Sequence, residues 1–269
     1  MELNNFKFNK KFGQNFIFDK NLLAAIVSDS RVTKQDDVLE IGPGAGTLTN
    51  MIAQNCKKVV SYEIDENLKD ILANNLAGVT NSTIVFKDAL KTDILEIEQN
   101  FDGEYSIIAN LPYYITTPLI FKFLEETEKV KTITIMVQKE VAQRLVAKNN
   151  SKDYGITTVL LDFYGVAKIT RFVGRKMFTP MPNVDSAVVR IDLVKNKYNC
   201  NKQLFTKVVQ ASFSMRRKTM LNNISSSLGL SKDVATKILE NANISVTARA
   251  EQLSTLDYVN LTVEYAKVI

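Results

Sequence analysis

The chain has 269 residues, with 34 Lys and Arg against 29 Asp and Glu, a formal net charge of +5, and 45% hydrophobic residues. This composition is typical of a globular protein with a sizeable core and excludes a disordered chain. Histidine is absent, which excludes Ser-His-Asp and Cys-His triads and His-rich zinc sites, and we expect no metal.

Neither a membrane span nor a signal peptide is predicted. The apolar runs are far shorter than a span requires, and the N-terminal residues contain no apolar segment followed by a cleavage site. We therefore expect a cytoplasmic protein without membrane contact. Cys56 and Cys200 lie far apart with no CxxC pair, which is typical of reduced thiols.

Five short apolar runs alternate with helix-like segments in the first half of the chain. They are rich in Val, Ile, Phe and Tyr, as strands buried on both faces of a parallel sheet are. The alternation predicts an α/β fold with a mostly parallel sheet. The predicted strands are residues 38–41, 59–64, 83–86, 105–109 and 132–137.

The rhythm changes after residue 154. Residues 157–166 and 187–194 predict two more strands, with only a loop over residues 168–185 between them. Because this loop is too short for a helical crossover, we expect an antiparallel pair at one edge of the sheet. The polar segment 195–202 predicts a domain boundary, so that residues 1–198 form the α/β domain and residues 199–269 a second domain.

The second domain is predicted to be small and all-helical. Apolar residues recur at helical spacing over residues 204–213, Ser231 is placed to begin a further helix, and a last helix follows near the C-terminus. In the helix that Ser231 begins, Val234, Ile238 and Leu239 are expected to face inward. Leu256, Val259 and Val263 mark the last helix.

Residues 42–46 (GPGAG) form a glycine-rich turn directly after the first predicted strand and before a helix. Glycines permit a positive φ and close approach of the backbone to a ligand, and a helix N-terminus offers free N–H groups. Glu63 lies at the end of the second strand, where a carboxylate can accept hydrogen bonds from both hydroxyls of a ribose. Asp88 follows the third strand, where it can accept a hydrogen bond from the amino group of an adenine. Without a phosphate-binding Lys-Ser/Thr pair, an NAD-type cofactor or S-adenosylmethionine remains.

The fourth predicted strand delivers Asn110, Leu111, Pro112 and Tyr113 to the same edge of the sheet. The amino nitrogen N6 of adenine is a poor nucleophile, because its lone pair is delocalised into the ring. The Asn110 side-chain oxygen and the Leu111 carbonyl can accept hydrogen bonds from the two N–H groups of N6. Pro112 fixes the direction of the Leu111 carbonyl. Tyr113 can stack on a flipped base. This pattern favours methyl transfer to N6, driven by positioning and oriented dipoles.

Eight short motifs extend the pattern over nearly the whole chain. They are residues 12–17 (FGQNFI), 40–44 (EIGPG), 63–65 (EID), 88–89 (DA), 110–113 (NLPY), 136–142 (MVQKEVA), 182–186 (PNVDS) and 213–218 (FSMRRK). In this order they resemble the ribosomal RNA adenine dimethyltransferases, most closely those of the bacterial small subunit. The resemblance implies a class I, Rossmann-like S-adenosylmethionine-dependent methyltransferase domain followed by a small helical domain.

The resemblance also implies roles for individual residues. Phe178 is expected to stack on the target base opposite Tyr113, and position 114 is Tyr where many relatives have Asn. The residues expected to hold S-adenosylmethionine are Asn15, Ile17, Gly42, Gly44, Glu63, Ile64, Asp88, Ala89 and Asn110.

The implied substrate is a pair of adjacent adenines in the 3′-terminal hairpin of 16S rRNA, each dimethylated at N6 by a monomer acting on an immature small subunit. Positive charge is concentrated in residues 139–176, with eight basic and three acidic residues, and in residues 200–269, with nine and five. This distribution is typical of a protein that binds a polyanion, although an excess of positive charge also favours solubility. Phosphate contacts are expected from Arg216, Arg217 and Lys218, and from Lys7, Lys10 and Lys11 beside the cofactor entrance.

Two alternatives remain open. One is a macrolide-resistance-type methyltransferase that acts on 23S rRNA, and the other is a ribosome-assembly checkpoint or RNA-binding factor. The segments MVQKEVAQRL and RRKTM fit the small-subunit enzymes better than the first alternative. The complete set of expected catalytic positions argues against a purely binding role.

Overall fold

The computed structural model describes residues 15–112 and 115–269, and the predictions for Lys7, Lys10, Lys11, Tyr113 and Tyr114 lie outside these residues. The described chain forms two compact units. The first includes residues 15–142 and Ala167–Leu193, and the second consists of Gln143–Val166 and Val194–Ile269. The sequence instead predicts a second domain of residues 199–269 alone.

The first unit is built around a seven-stranded sheet in the order β4-β3-β2-β5-β6-β9-β7, and a separate two-stranded sheet pairs β1 with β8. Four strand pairs from β4 to β6 are parallel, whereas β9 runs antiparallel to β6. The predicted fold class is therefore confirmed. The strands are β1 Phe16–Ile17, β2 Asp37–Ile41, β3 Lys58–Glu63, β4 Ser82–Phe86, β5 Tyr105–Asn110, β6 Val130–Gln138, β7 Gly165–Val173, β8 Phe178–Thr179 and β9 Ser186–Leu193.

Eleven α-helices accompany these strands in the described chain, and none of them is long and apolar enough to cross a membrane. Six come before residue 150: α1 Lys20–Ser30, α2 Thr47–Ala53, α3 Lys69–Asn75, α4 Ile94–Glu98, α5 Thr116–Glu126 and α6 Lys139–Leu145. Five follow: α7 Ile156–Tyr164, α8 Lys202–Ser212, α9 Met220–Leu228, α10 Lys232–Asn241 and α11 Thr255–Ala266.

The strand order creates a crevice at one edge of the sheet. From β2 the chain proceeds outward to β3 and β4, then returns to place β5 on the other side of β2. Ile41 is in register with both Tyr62 of β3 and Ala109 of β5, so these strands end at one level. In open α/β sheets, ligands bind at the carboxyl ends of strands where the order reverses in this way.

The prediction of a strand over residues 157–166 is wrong. Residues 156–164 form helix α7, and β7 then includes residues 168–173, the first third of the predicted loop over residues 168–185. Helix α7 is apolar on nearly every side, and it is buried in the second unit. There Phe163 stacks on Phe205, with ring centroids 4.1 Å apart. A continuous apolar run does not distinguish a buried helix from a buried strand.

The helical unit matches its prediction in outline. Within residues 194–269, all of which are described, there is no strand, and Ser231 begins α10 by accepting a hydrogen bond from the Val234 amide at 3.3 Å. Helix α9 was not predicted, since its sequence MLNNISSSL is largely polar. Val234 is 37% exposed, so its predicted inward orientation is wrong, whereas Ile238 and Leu239 are buried. Leu256, Val259 and Val263 lie in α11, the predicted last helix.

Candidate cofactor and active site

The glycine turn between β2 and α2 has the left-handed backbone that its sequence favours. Gly42, Gly44 and Gly46 have φ values of +72°, +58° and +78°. The Gly42 amide donates to the Tyr62 carbonyl at 2.9 Å, which fixes the start of the turn against β3. The turn ends at Thr47, the first residue of α2, so a helix N-terminus with free amides faces the crevice.

Gly44 has no room for a side chain. A Cβ atom added there would lie 2.6 Å from Cε1 of Phe16, whose ring belongs to a buried apolar cluster with Ala45, Leu68 and Leu72. Phe16 therefore packs directly on the turn, and β1 covers the crevice at this point.

We expect Gly44→Ala to lower the free energy of unfolding by about 2 kcal/mol, because a left-handed alanine is strained and its Cβ must displace the Phe16 ring. Chemical denaturation measures the change. Gly78→Ala is the matched control, since no atom lies within 4 Å of a Cβ at that glycine. Equal stabilities of the two variants would contradict the close packing of Phe16 on the turn.

Glu63 is held at the end of β3 by two backbone amides. Its Oε2 accepts from the Gly44 amide at 3.1 Å, and its Oε1 accepts from the Asp65 amide at 2.9 Å. The residue is 5% exposed, and burial is the main cause that raises its pKa, while the two amides act in the opposite direction. The carboxylate is thus fixed against the glycine turn with lone pairs left for a hydroxyl-bearing ligand.

A cavity lies at the carboxyl ends of β2, β3, β4 and β5. It brings together every described residue that the sequence predicts for cofactor binding or catalysis in this region. These lining residues are Asn15, Ile17, Gly42, Gly44, Glu63, Ile64, Asp88, Ala89, Asn110, Leu111 and Pro112.

Sequence reasoning missed several other residues of the cavity wall. Phe16 and Leu90 are next in sequence to predicted positions, so the motifs could have indicated them. The sequence around the other missed residues contains no motif that indicates a site; these are Leu23 from α1, and Ile115 and Leu119 near the start of α5. Their apolar side chains make the cavity a slot for a flat apolar group beside the polar strand ends.

Asp88 follows β4 and has one oxygen engaged in the chain. Its Oδ1 accepts from the Leu90 amide at 2.9 Å, and Lys91 Nζ lies 4.0 Å from Oδ2. The turn-forming role and a ligand-binding role are compatible, because Oδ2 retains acceptor capacity at the cavity. Exposed ion pairs of this length contribute little to stability.

Asn110 is oriented by the segment that precedes α1. Its side-chain Nδ2 donates to the backbone carbonyl of Asn15 at 2.9 Å. This bond fixes the amide so that Oδ1 is the atom left to accept hydrogen bonds in the cavity. The Thr47 hydroxyl donates to the Ile17 carbonyl at 2.8 Å, so residues 15–17 are attached both to the glycine-turn helix and to Asn110.

The structure does not bring Phe178 to the cavity. Phe178 is 4% exposed, lies in β8 in register with Ile17, and belongs to a core cluster with Ile17, Leu22 and Leu23. A role in stacking on a base therefore requires that the ring leave this core. Arg216, Arg217 and Lys218 are exposed and lie in the second unit, in the turn between α8 and α9.

Glu40 lies fully buried in β2, two residues before the glycine turn. Its Oε2 accepts from the hydroxyls of Thr49 and Ser61, both at 2.7 Å, and its Oε1 has no hydrogen-bond partner. Burial, opposed by these two hydrogen bonds and aided by the charge of Glu63, raises the pKa of Glu40 from 4.5 to about 7.

The raised pKa predicts a specific pH dependence of stability. Between the two pKa values, folded Glu40 retains a proton that the unfolded chain releases, so its contribution is complete below the unfolded value and is lost as pH rises through about 7. Relative to Glu40→Gln, the wild-type free energy of unfolding should fall by about 2 kcal/mol from about pH 5 to about pH 8. Parallel stability curves for the two proteins would contradict this assignment.

Within residues 15–112 and 115–269, no cluster of three or more Cys, Asp or Glu side chains is arranged to hold a metal ion. The cavity offers carboxylate and amide acceptors, backbone amides and an apolar slot. Such a set suits a nucleoside, because it matches hydroxyl and amino donors on a flat ring.

Comparisons with known proteins agree with this chemistry. The family described as ribosomal RNA adenine dimethylase matches residues 5–267. The ribosomal RNA small subunit methyltransferase A of Clostridioides difficile (strain 630) is 45% identical over 254 residues, which cover 93% of this chain and 88% of the relative.

Two solved structures share the fold over nearly the whole chain. A dimethyladenosine transferase from Plasmodium falciparum has a TM-score of 0.81 at 24% identity and covers 94% of this chain and 98% of that chain. The 23S rRNA methyltransferase ErmE has a TM-score of 0.72 at 24% identity and covers 93% and 99%. At these identities the likeness concerns the fold alone.

Proposed function

Because the chain belongs to the ribosomal RNA adenine dimethylase family, we propose that it dimethylates N6 of two adjacent adenines in the 3′-terminal hairpin of 16S rRNA, using S-adenosylmethionine. The observation that carries the proposal is the cavity where Glu63, Asp88 and Asn110 meet at the ends of three strands. The 45% identity to a small subunit methyltransferase favours 16S rRNA over 23S rRNA, since the likeness to ErmE concerns only the fold.

The residues of the cavity fit S-adenosylmethionine. The fixed carboxylate of Glu63 suits the two ribose hydroxyls, and Asp88 suits the adenine amino group. Ile64, Ala89 and Leu90 supply apolar surface for the ring, and the glycine turn lets the backbone approach the amino-acid portion. When bound, the cofactor supplies an electrophilic methyl group.

Asn110 and Leu111 are the groups that act on the target nitrogen. In unmodified adenine, Asn110 Oδ1 accepts a hydrogen bond from one N6–H and the Leu111 carbonyl accepts one from the other, which draws the nitrogen lone pair out of conjugation with the ring. Each methylated nitrogen then releases a proton to water, and the single N–H left after the first transfer retains one of the two acceptors. The hydrogen bond from Nδ2 to the Asn15 carbonyl keeps the Asn110 amide from rotating. Pro112 restricts the backbone of Leu111, so both acceptors are oriented before the substrate arrives.

RNA is the substrate class of the family, and the finer assignments form part of this proposal. Arg216, Arg217 and Lys218 are exposed, and cationic side chains of this kind contact phosphates without reading sequence. We further propose that the protein is a cytoplasmic monomer that acts on an immature small subunit. The name of the relative supports the small subunit as the target.

Methyl transfer to defined acceptors tests the function. With labelled S-adenosylmethionine, the protein should methylate small subunits from cells that lack the two dimethyladenosines and should leave fully modified small subunits and protein-free 23S rRNA unlabelled. Label in 23S rRNA alone would overturn the proposal in favour of the large-subunit enzymes. Tight binding to small subunits without any transfer would overturn it in favour of an assembly factor.

A further inference from the structure

The second unit carries a concentration of positive charge that joins two distant parts of the sequence. Lys148 and Lys152 lie in the turn between α6 and α7, and Arg216, Arg217 and Lys218 lie in the turn between α8 and α9. All five side chains are exposed. Arg216 Nη2 donates to the Lys152 carbonyl at 3.2 Å, across 64 residues of sequence, so the two turns are in contact.

The first turn is fixed to the segment that precedes α11. The Asn150 amide donates to the Glu251 carbonyl at 2.8 Å, and the Tyr154 hydroxyl donates to the Leu253 carbonyl at 2.8 Å. Asn150 has a φ of +64°, a left-handed conformation that asparagine tolerates better than most residues. The backbone that carries Lys148 and Lys152 is therefore held in one conformation by contacts unrelated to their charges.

The second turn is fixed by a buried amide. Asn223 of α9 is fully buried, and its Nδ2 donates to the Ser212 carbonyl at 2.6 Å and to the Met215 carbonyl at 3.2 Å. The Lys218 amide donates to the same Met215 carbonyl at 3.0 Å. Because both turns are preorganised, binding a partner orders little backbone.

The charges on this surface are not neutralised within the described chain. None of the five cations forms an ion pair with another residue of the ranges 15–112 and 115–269, whereas many of the chain's other lysines do, such as Lys87 and Lys197. Asp153 is the only acid in the two turns (residues 146–155 and 213–219), which leaves five positive charges against one negative charge there. Clustered, unpaired and preorganised cations are the arrangement that binds a phosphate backbone.

We propose that Lys148 and Lys152 form, together with Arg216, Arg217 and Lys218, one continuous surface that binds the phosphate backbone of the RNA substrate. The inference rests on the proposed function for the identity of the polyanion. It adds to the Arg-Arg-Lys segment a second turn that no motif indicates. The surface contributes affinity and orientation and takes no part in the chemical step.

The test measures binding of protein-free 16S rRNA lacking the dimethyladenosines over a KCl series. Lys148→Ala/Lys152→Ala should weaken binding about tenfold at moderate salt and lower the slope of log affinity against log salt by about 2, one for each lost contact. The matched control is Lys232→Ala/Lys237→Ala, which removes two exposed charges from α10 of the same unit and should leave the slope nearly unchanged.

Kinetics on unmethylated small subunits separate this inference from the proposed function. The Lys148/Lys152 variant should show a raised KM for subunits, an unchanged kcat and an unchanged affinity for S-adenosylmethionine. If wild-type protein methylates subunits but the variant matches it in affinity and slope, the inference is overturned and the function stands. Equal losses in the variant and the α10 control would also overturn it. Failure of the wild-type protein to methylate any small subunit would overturn the proposed function itself.

Discussion

Glu63→Ala is expected to weaken binding of S-adenosylmethionine by about two orders of magnitude. The buried carboxylate accepts from the Gly44 and Asp65 amides and is thereby fixed towards the ribose position. Hydrogen bonds to a charged acceptor contribute about 1.5–3 kcal/mol each, and the Glu63 carboxylate is expected to accept one from each of the two ribose hydroxyls. Isothermal titration calorimetry with the cofactor and with its demethylated product measures the loss.

The control for Glu63 is Glu66→Ala, which removes an exposed carboxylate three residues later, at the start of a 3₁₀ turn. This variant should bind the cofactor as the wild type does. Thermal unfolding without ligand shows whether Glu63→Ala still folds. A folded Glu63→Ala protein with wild-type cofactor affinity would contradict the ribose assignment.

Asn110→Ala is expected to reduce the rate of methyl transfer by about 10²- to 10³-fold, the usual effect of deleting one preorganised polar group at a reacting atom. Cofactor affinity should fall by about tenfold at most, because the variant also loses the single hydrogen bond to the Asn15 carbonyl. Single-turnover rates at saturating cofactor, with calorimetry beside them, separate the two effects.

Asn110→Asp is the informative companion variant. It retains acceptor oxygens at the position of Oδ1 but cannot donate to the Asn15 carbonyl when ionised. Its transfer rate should exceed that of Asn110→Ala, while its cofactor affinity should be as low or lower, since a carboxylate facing a carbonyl is repulsive. Full turnover by Asn110→Ala would show that the chemical role assigned to this amide is wrong.

The central sheet was predictable because β2, β3, β5 and β6 are largely buried and read as apolar runs, and because the partly buried β4 is also rich in apolar residues. Strands β2 to β6 lie within two residues of their predicted limits, and the glycine turn follows β2 as expected. The same signal misidentified α7, whose residues are equally apolar. Strand β7 lacked the signal, because most of its residues are only partly buried and its sequence GVAKITRFV mixes polar with apolar side chains.

The candidate site was predictable where function depends on strand ends, because parallel strands bring their carboxyl ends to one edge. Contacts between distant segments carried no sequence signal. The hydrogen bond between Asn110 and Asn15 joins residues 95 positions apart, and the bond from Arg216 to Lys152 joins two turns that share no motif. The burial of Phe178 in β8 was likewise hidden, since a motif position specifies neither packing nor exposure.

In the proposed function, one edge of the sheet binds S-adenosylmethionine and presents Asn110 and Leu111 to an adenine N6. The most direct test is a nucleoside mass map of 16S rRNA from cells lacking this protein, complemented with either the wild type or Asn110→Ala. We predict two adjacent dimethyladenosines in the 3′-terminal hairpin with the wild type and unmodified adenosines with the variant or without the protein. Two dimethyladenosines in the cells that lack the protein, or full restoration by Asn110→Ala, would contradict it.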